Sequence, residues 1–148
     1  MRRVGRLDQS IEQLKKATDV QPNKAPAHNN LGLSFFENED WDDAISSYTK
    51  AISLEMQAVN ELGVSKENLS FYFNNRGLAY YHLRNFSDAI KDYDEAITLN
   101  ETNAENFFNR GNVYLNQEMF EEAHADFDRA IMLEPSSAKL FHAKGLAF

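Results

Sequence analysis

The sequence has no cysteine among its 148 residues. Disulfide frameworks and thiolate catalysis are therefore excluded, and the redox compartment stays open, with an intracellular, cytoplasmic setting as the default expectation. No apolar run approaches the ~20 residues that a membrane-spanning helix needs, so a soluble chain with no membrane partner is expected. Residues 1–7 are too short and too polar for a secretory signal. Basic side chains are also few: 15 Lys and Arg stand against 23 Asp and Glu, a formal charge of −8. Nucleic-acid affinity rests on cations displacing counterions from phosphate. The densest basic patch is only Arg2, Arg3 and Arg6, so no nucleic-acid partner is expected, and a basic or neutral partner surface fits the charge better.

Signatures of catalysis are missing as well. His28, His82, His124 and His142 have no metal-ligand spacing, and no second histidine lies one turn away from any of them. Asp92 with Asp94, and Asp126 with Asp128, form Asp-x-Asp pairs. On a helix, residues two apart point to different sides, so neither pair converges on one ion, and a solvated acidic face is expected instead. There is no glycine-rich phosphate loop. No enzyme activity, cofactor or metal is predicted from these residues.

What is present is self-similarity. An apolar share of 43% and an aromatic share of 12% are enough for a packed core. Segments starting at Ala25, Ser70, Ala104 and Ala138 each carry a glycine at one offset: Gly32, Gly77, Gly111 and Gly145. The last two intervals are 34 residues and the first is 45. An aromatic follows each glycine by three residues, at Phe35, Tyr80, Tyr114 and Phe148. Ala44, Ala89 and Ala123 stand twelve residues past the first three glycines, followed by Tyr48, Tyr93 and Phe127, then Ala51, Ala96 and Ala130. Trp41, Phe86 and Phe120, with Ile52, Ile97 and Ile131, complete an apolar stripe.

This pattern resembles the tetratricopeptide repeat. The resemblance implies an all-α fold, an α-α superhelix of antiparallel helix pairs, in which small residues let backbones approach and rings fill the space beside them. In this register residues 1–24 are the second helix of a truncated repeat, with Leu7, Ile11, Leu14 and Val20 as its apolar stripe. Residues 25–69 are a repeat with an insertion, 70–103 and 104–137 are repeats of ordinary length, and 138–148 are a lone first helix. Apolar groups such as Leu140 and Phe148 then want cover, so the segment is expected either to continue into a longer solenoid or to self-associate end to end. The leucine that the family places before the glycine occurs as Leu31 but is replaced by Arg76, Arg110 and Lys144. These long stems can cover apolar surface while their charges reach water.

The longer interval holds 11 extra residues around positions 55–65. Ile52, Met56, Val59 and Leu62 continue the helical spacing. Gly63 suits a left-handed helix cap, and Ser65 a cap for the next helix. The spacing thus predicts a taller hairpin, which serves as a docking ridge, shifts the curvature, or is simply tolerated at a surface turn.

By the same resemblance, first helices line the concave side. Asn30, Asn75 and Asn109 stand two residues before their glycines, with Ala143 in the fourth place. In family members with asparagine at this offset, the side chains form a ladder that grips extended backbone, because a carboxamide matches the N–H and C=O of a peptide. The alternative is an Asn-Arg-Gly habit, solvated or capping locally. Three asparagines at ~0.5–1.5 kcal/mol each are insufficient alone. Leu33, Phe36, Phe71, Leu78, Tyr81 and Phe108, together with Asn112, are the candidate companions. The family's carboxylate clamp for acidic chain ends is not expected. Its basic and asparagine slots hold Asn29, Leu33, Glu105 and Asn109 in one frame and Asn74, Leu78, Lys139 and Ala143 in the next. The function implied is a protein-interaction scaffold with a protein or peptide partner. The alternatives are a structural solenoid segment in a large assembly and the substrate-recruiting region of a larger enzyme.

Overall fold

Each repeat of the pattern becomes one helical hairpin. The structure is a computed structural model describing residues 2–137 together with 139, 142 and 145. Among these the helices are α1 (Arg2–Val20), α2 (Ala25–Glu37), α3 (Trp41–Leu62), α4 (Glu67–His82), α5 (Phe86–Leu99), α6 (Ala104–Asn116) and α7 (Phe120–Leu133). Hairpins α2–α3, α4–α5 and α6–α7 stack in order, α3 meeting α4 and α5 meeting α6, while α1 packs on α2. Successive first helices also touch directly, α2 meeting α4 and α4 meeting α6. The all-α superhelix read from the sequence is the fold. The first helix expected over 138–148, with Leu140, Ala143, Lys144 and Phe148, lies outside the described residues apart from the three positions named.

The shared glycine has a single cause in all three hairpins. A Cβ built on Gly32 would stand 2.6 Å from the Tyr48 ring, on Gly77 2.9 Å from Tyr93, and on Gly111 2.7 Å from Phe127. Those rings are essentially fully buried, as are Ala44, Ala89 and Ala123 one helical turn before them. Burial of each large apolar side chain is worth ~1.5–3 kcal/mol, and only a bare Cα lets the ring lie flat on the facing helix. Trp41, Phe86 and Phe120 each open a second helix as expected, but Phe120 is exposed and does not join the buried stripe.

The hairpin turns follow one design that the sequence pattern did not announce. Glu39, Arg84 and Glu118 occupy left-handed conformations at φ 61, 61 and 58°. The next residue's N–H then reaches back to the carbonyl of Phe35, Tyr80 or Tyr114, each at 2.9 Å. These bonds satisfy carbonyls that a helix end leaves unpaired. Acidic first turns, such as Asp42 and Asp43 in α3 and Glu121 and Glu122 in α7, suit the positive end of the helix dipole. Asn85 and Asn103 cap α5 and α6 by accepting the N–H of Asp88 and Glu105.

The insertion lengthens α3 as the spacing predicts. At 22 residues against 14 for α5, the helix runs about 12 Å further. Gly63 caps it at φ 65°, its N–H bonded to the Val59 carbonyl at 3.1 Å. Ser65 Oγ accepts the Glu67 N–H at 3.2 Å. At the other end the α1 stripe stops a turn early. Leu7, Ile11 and Leu14 pack on the cluster around Leu31, Phe35 and Tyr48, but Val20 is 79% exposed. Thr18 takes the last buried place, its hydroxyl bonded to the Lys15 carbonyl.

Candidate functional site

The inner face is built from the exposed stripes of α2, α4 and α6. Leu33 from α2 is 39% exposed and Phe71 from α4 is 52% exposed. Asn30 is exposed, and Asn75, Leu78 and Asn112 are half-buried. The remaining predicted aromatics are engaged by the protein itself. Phe36 lies edge-on to Trp41 at 5.0 Å and to His82 at 5.3 Å. The Tyr81 hydroxyl accepts the Asn116 amide at 2.9 Å, and Asn116 also donates to the Asn112 carbonyl at 2.8 Å. Phe108 carries the Lys139 ammonium 4.8 Å above its ring, and that lysine pairs with Glu105 at 3.5 Å.

Two of the three predicted asparagines join repeats to each other. Asn75 donates to Asn29 Oδ1 at 3.0 Å, and Asn109 donates to Asn74 Oδ1 at 2.9 Å. Asn109 is buried and Asn75 half-buried, so an uninterrupted ladder of open carboxamides is not what the inner face presents. The reason is close approach: first helices near enough to touch bring the asparagine before each glycine onto its predecessor's neighbour. Asn29 and Asn74, read from the sequence only as occupants of clamp slots, are the acceptors of these bonds, and Asn116 and His82 were missed as partners of Tyr81 and Phe36. A signal for the acceptors was there, because Asn29 and Asn74 both stand three residues before a glycine.

The arginines overturn a second expectation. Arg76 donates to both oxygens of Asp92 at 2.8 and 2.7 Å, and Arg110 to both oxygens of Asp126 at the same distances. Each guanidinium also reaches back one repeat, Arg76 to Thr49 Oγ1 at 3.2 Å and Arg110 to Asp94 at 2.8 Å. Asp92 and Asp126 are only 4% and 5% exposed. They are buried ion-pair partners, not a solvated face, and the arginine charges do not run out to water. Burial pushes both carboxyl groups upward in pKa, while the arginine bonds pull them down. The members of each Asp-x-Asp pair do diverge, Asp92 serving its own repeat and Asp94 the next. In the first repeat, the same two places hold Leu31 and Ser47, both buried.

Of the histidines, His28 Nε2 lies 2.9 Å from the Pro22 carbonyl, and His124 Nδ1 lies 3.0 Å from Asp128. His82 stacks on Trp41 with ring centres 4.5 Å apart and planes within 7°. Desolvation lowers its pKa, opposed by Glu39. Among the described residues, no group of three or more His, Asp or Glu could hold a metal ion, and no helix is long and apolar enough to cross a membrane.

The family model for the tetratricopeptide repeat matches residues 25–55, 70–103 and 104–137, and a second TPR repeat model matches 2–39. The chain belongs to the tetratricopeptide repeat family.

Its relatives among solved structures are arrays of the same kind. The first tetratricopeptide domain of Spaghetti (RPAP3), bound to the HSP90 peptide SRMEEVD, is 26% identical with a TM-score of 0.73, covering 84% of this chain and 90% of that one. The Arabidopsis OM64 tetratricopeptide domain is 25% identical with a TM-score of 0.72, covering 83% and 93%. MamA, at 23% identity and a TM-score of 0.82, shares the fold over 99% of this chain and 79% of its own. No curated protein matches the sequence. Tetratricopeptide arrays are protein-interaction scaffolds, and the first helices of this one carry exposed Leu33, Phe71 and Asn30 together with half-buried Asn75.

Proposed function

We propose that this tetratricopeptide array holds an extended or helical peptide segment of a partner protein against α2, α4 and α6. The observation that carries the reading is the exposure of Leu33 and Phe71 on first helices whose other large apolar groups are buried or half-buried. Exposed aromatic anchors commonly dominate such interfaces. Asn30 is open to a bound backbone, and Asn75 spends one N–H on Asn29, so its remaining N–H and its oxygen can serve a peptide. The Spaghetti relative, in complex with an HSP90 peptide, supports a peptide ligand for this fold.

The ligand chemistry differs from that acidic peptide. Asn29, Leu33, Glu105 and Asn109 supply little positive charge, and Lys139 is already paired with Glu105. A neutral or basic apolar segment is the better fit. The test is affinity capture by the immobilised chain beside its Phe71→Asp and Leu33→Asp variants, with identification of what co-purifies. The reading requires a protein retained by the native surface and lost from both variants at unchanged helix content. The peptide SRMEEVD serves as a second probe and is expected to bind weakly. Equal capture by all three surfaces would refute the groove.

A further inference from the structure

We propose that the outer cleft between the extended α3 and α5 is a second docking surface, taking a segment of another protein in which basic side chains adjoin apolar ones. The cleft has a volume of about 510 Å³, with Met56 of α3 on one wall, Phe73, Arg76 and Tyr80 of α4 as its floor, and Asp88 and Glu95 of α5 opposite. An adjoining hollow of about 210 Å³ shares Met56, Phe73 and Glu95, and adds the apolar Val59, Leu69 and Leu99 with Asn60 and one cation, Lys66. The length of α3 beyond that of a standard second helix contributes Met56 to both. Met56 and Val59 lie in that added length, and Met56 is 45% exposed although apolar.

The cleft is separate from the inner face. On α4, positions 73, 76 and 80 form one stripe, whereas 71, 75 and 78 form another, since residues three and four apart share a face. The two surfaces can therefore be tested apart.

Charge selects the occupant. Asp88, Asp92, Asp94 and Glu95 line the cleft against only Arg76 and Lys91, four carboxylates to two cations. Arg76 is spent on Asp92, and Lys91 already lies 4.0 Å from Asp88. Asp94 shares the Arg110 guanidinium with Asp126. Of the four, Glu95 is the exposed carboxylate that the ion pairs leave to an arriving cation, beside the apolar Met56 and Phe73. Arg76 already lies over this floor, 5.5 Å from the Phe73 ring centre and 5.8 Å from that of Tyr80, so an arriving cation is directed to Glu95 instead. An arginine or lysine head toward Glu95, with a neighbouring apolar side chain on Met56 and Phe73, meets both features. A helix laid in a groove is one established way to present such a pair.

The test is NMR titration of the isotope-labelled chain with a synthetic peptide of alternating leucine and arginine pairs. Amide shifts centred on Met56, Phe73 and Glu95 are expected, with binding weakened at least about tenfold in Glu95→Lys and in Met56→Asp. Both positions are exposed, and circular dichroism verifies that the variants keep their helix content. The same peptide with glutamate for arginine, or serine for leucine, should leave these amides unmoved. The proposal is overturned if no shifts occur, if they spread evenly over the acidic surface, or if Glu95→Lys binds as before. It is also overturned if the shifts map to Phe71 and Leu78, a result that supports the groove instead. Concentration-dependent shifts of the cleft amides without peptide would assign it to a second copy of the chain and overturn it too.

Discussion

The carboxamide of Asn109 donates to that of Asn74 across a repeat boundary at 2.9 Å, with both side chains buried. One boundary earlier, Asn75 and Asn29 make the same bond at 3.0 Å. An asparagine that the repeat pattern nominates for ligand binding is thus first a fastener between first helices. A loss of partner binding on mutating these residues has to be separated from a loosening of the solenoid.

Removing one side of the buried pair should therefore cost stability without any partner present. Asn109→Ala leaves the Asn74 oxygen without its donor, and a cost of about 1–3 kcal/mol is expected. Asn75→Ala, at a half-buried site, should cost less. Denaturant unfolding measures both, and a double-mutant cycle on Asn74 and Asn109 should show a coupling of about 0.5–1.5 kcal/mol. Strict additivity would mean that the bond contributes nothing.

The buried ion pairs make a sharper prediction, because the chain contains its own apolar control. Asp92→Ser alone strands the Arg76 charge, at an expected cost of about 3–5 kcal/mol. Adding Arg76→Leu to make the double variant reproduces the Leu31 and Ser47 pair of the first repeat, and most of the loss should return. Thermal and denaturant unfolding of the two variants decide this. A double variant no better than the single would show that the Arg76 bridge to Thr49 carries weight of its own.

Glycine replacement separates packing from helix propensity. Alanine is the better helix former by about 1 kcal/mol, yet at Gly32 its Cβ would stand 2.6 Å from the buried Tyr48 ring. Overpacking should win, and Gly32→Ala is expected to destabilise the fold by about 1–3 kcal/mol. At Gly5 nothing lies within 4 Å, so Gly5→Ala should be neutral or stabilising. Equal effects at the two sites in unfolding experiments would contradict the contact.

The stacked pair Trp41 and His82 offers a pH reporter, since the chain has one tryptophan. The folded-state pKa of His82 lies below its ordinary value, so protonation is harder in the folded chain. Its contribution to stability is present above the unfolded-state pKa and is lost as pH falls through the folded one. Trp41 fluorescence should show a step below the usual histidine range, abolished by His82→Gln. A step at or above that range would contradict the desolvated stack.

The glycine-to-ring spacing, the alanines around it and the extended α3 with its Gly63 cap were legible in the chain itself. Each rests on local periodicity, or on a contact repeated at a constant interval. Family membership followed from the same offsets. Pairings between repeats were harder to read. Arg76 with Asp92 lies sixteen residues apart and looks like two solvated charges until the hairpin folds them together.

Sequence alone determined that helical hairpins form and in what register, because backbone periodicity and the need to bury one stripe act within each repeat. Only the tertiary structure decided which inner-face groups remain available to a partner. Whether Asn109 or Phe71 faces solvent depends on how closely neighbouring helices approach, and that distance is set by all the side chains packed between them.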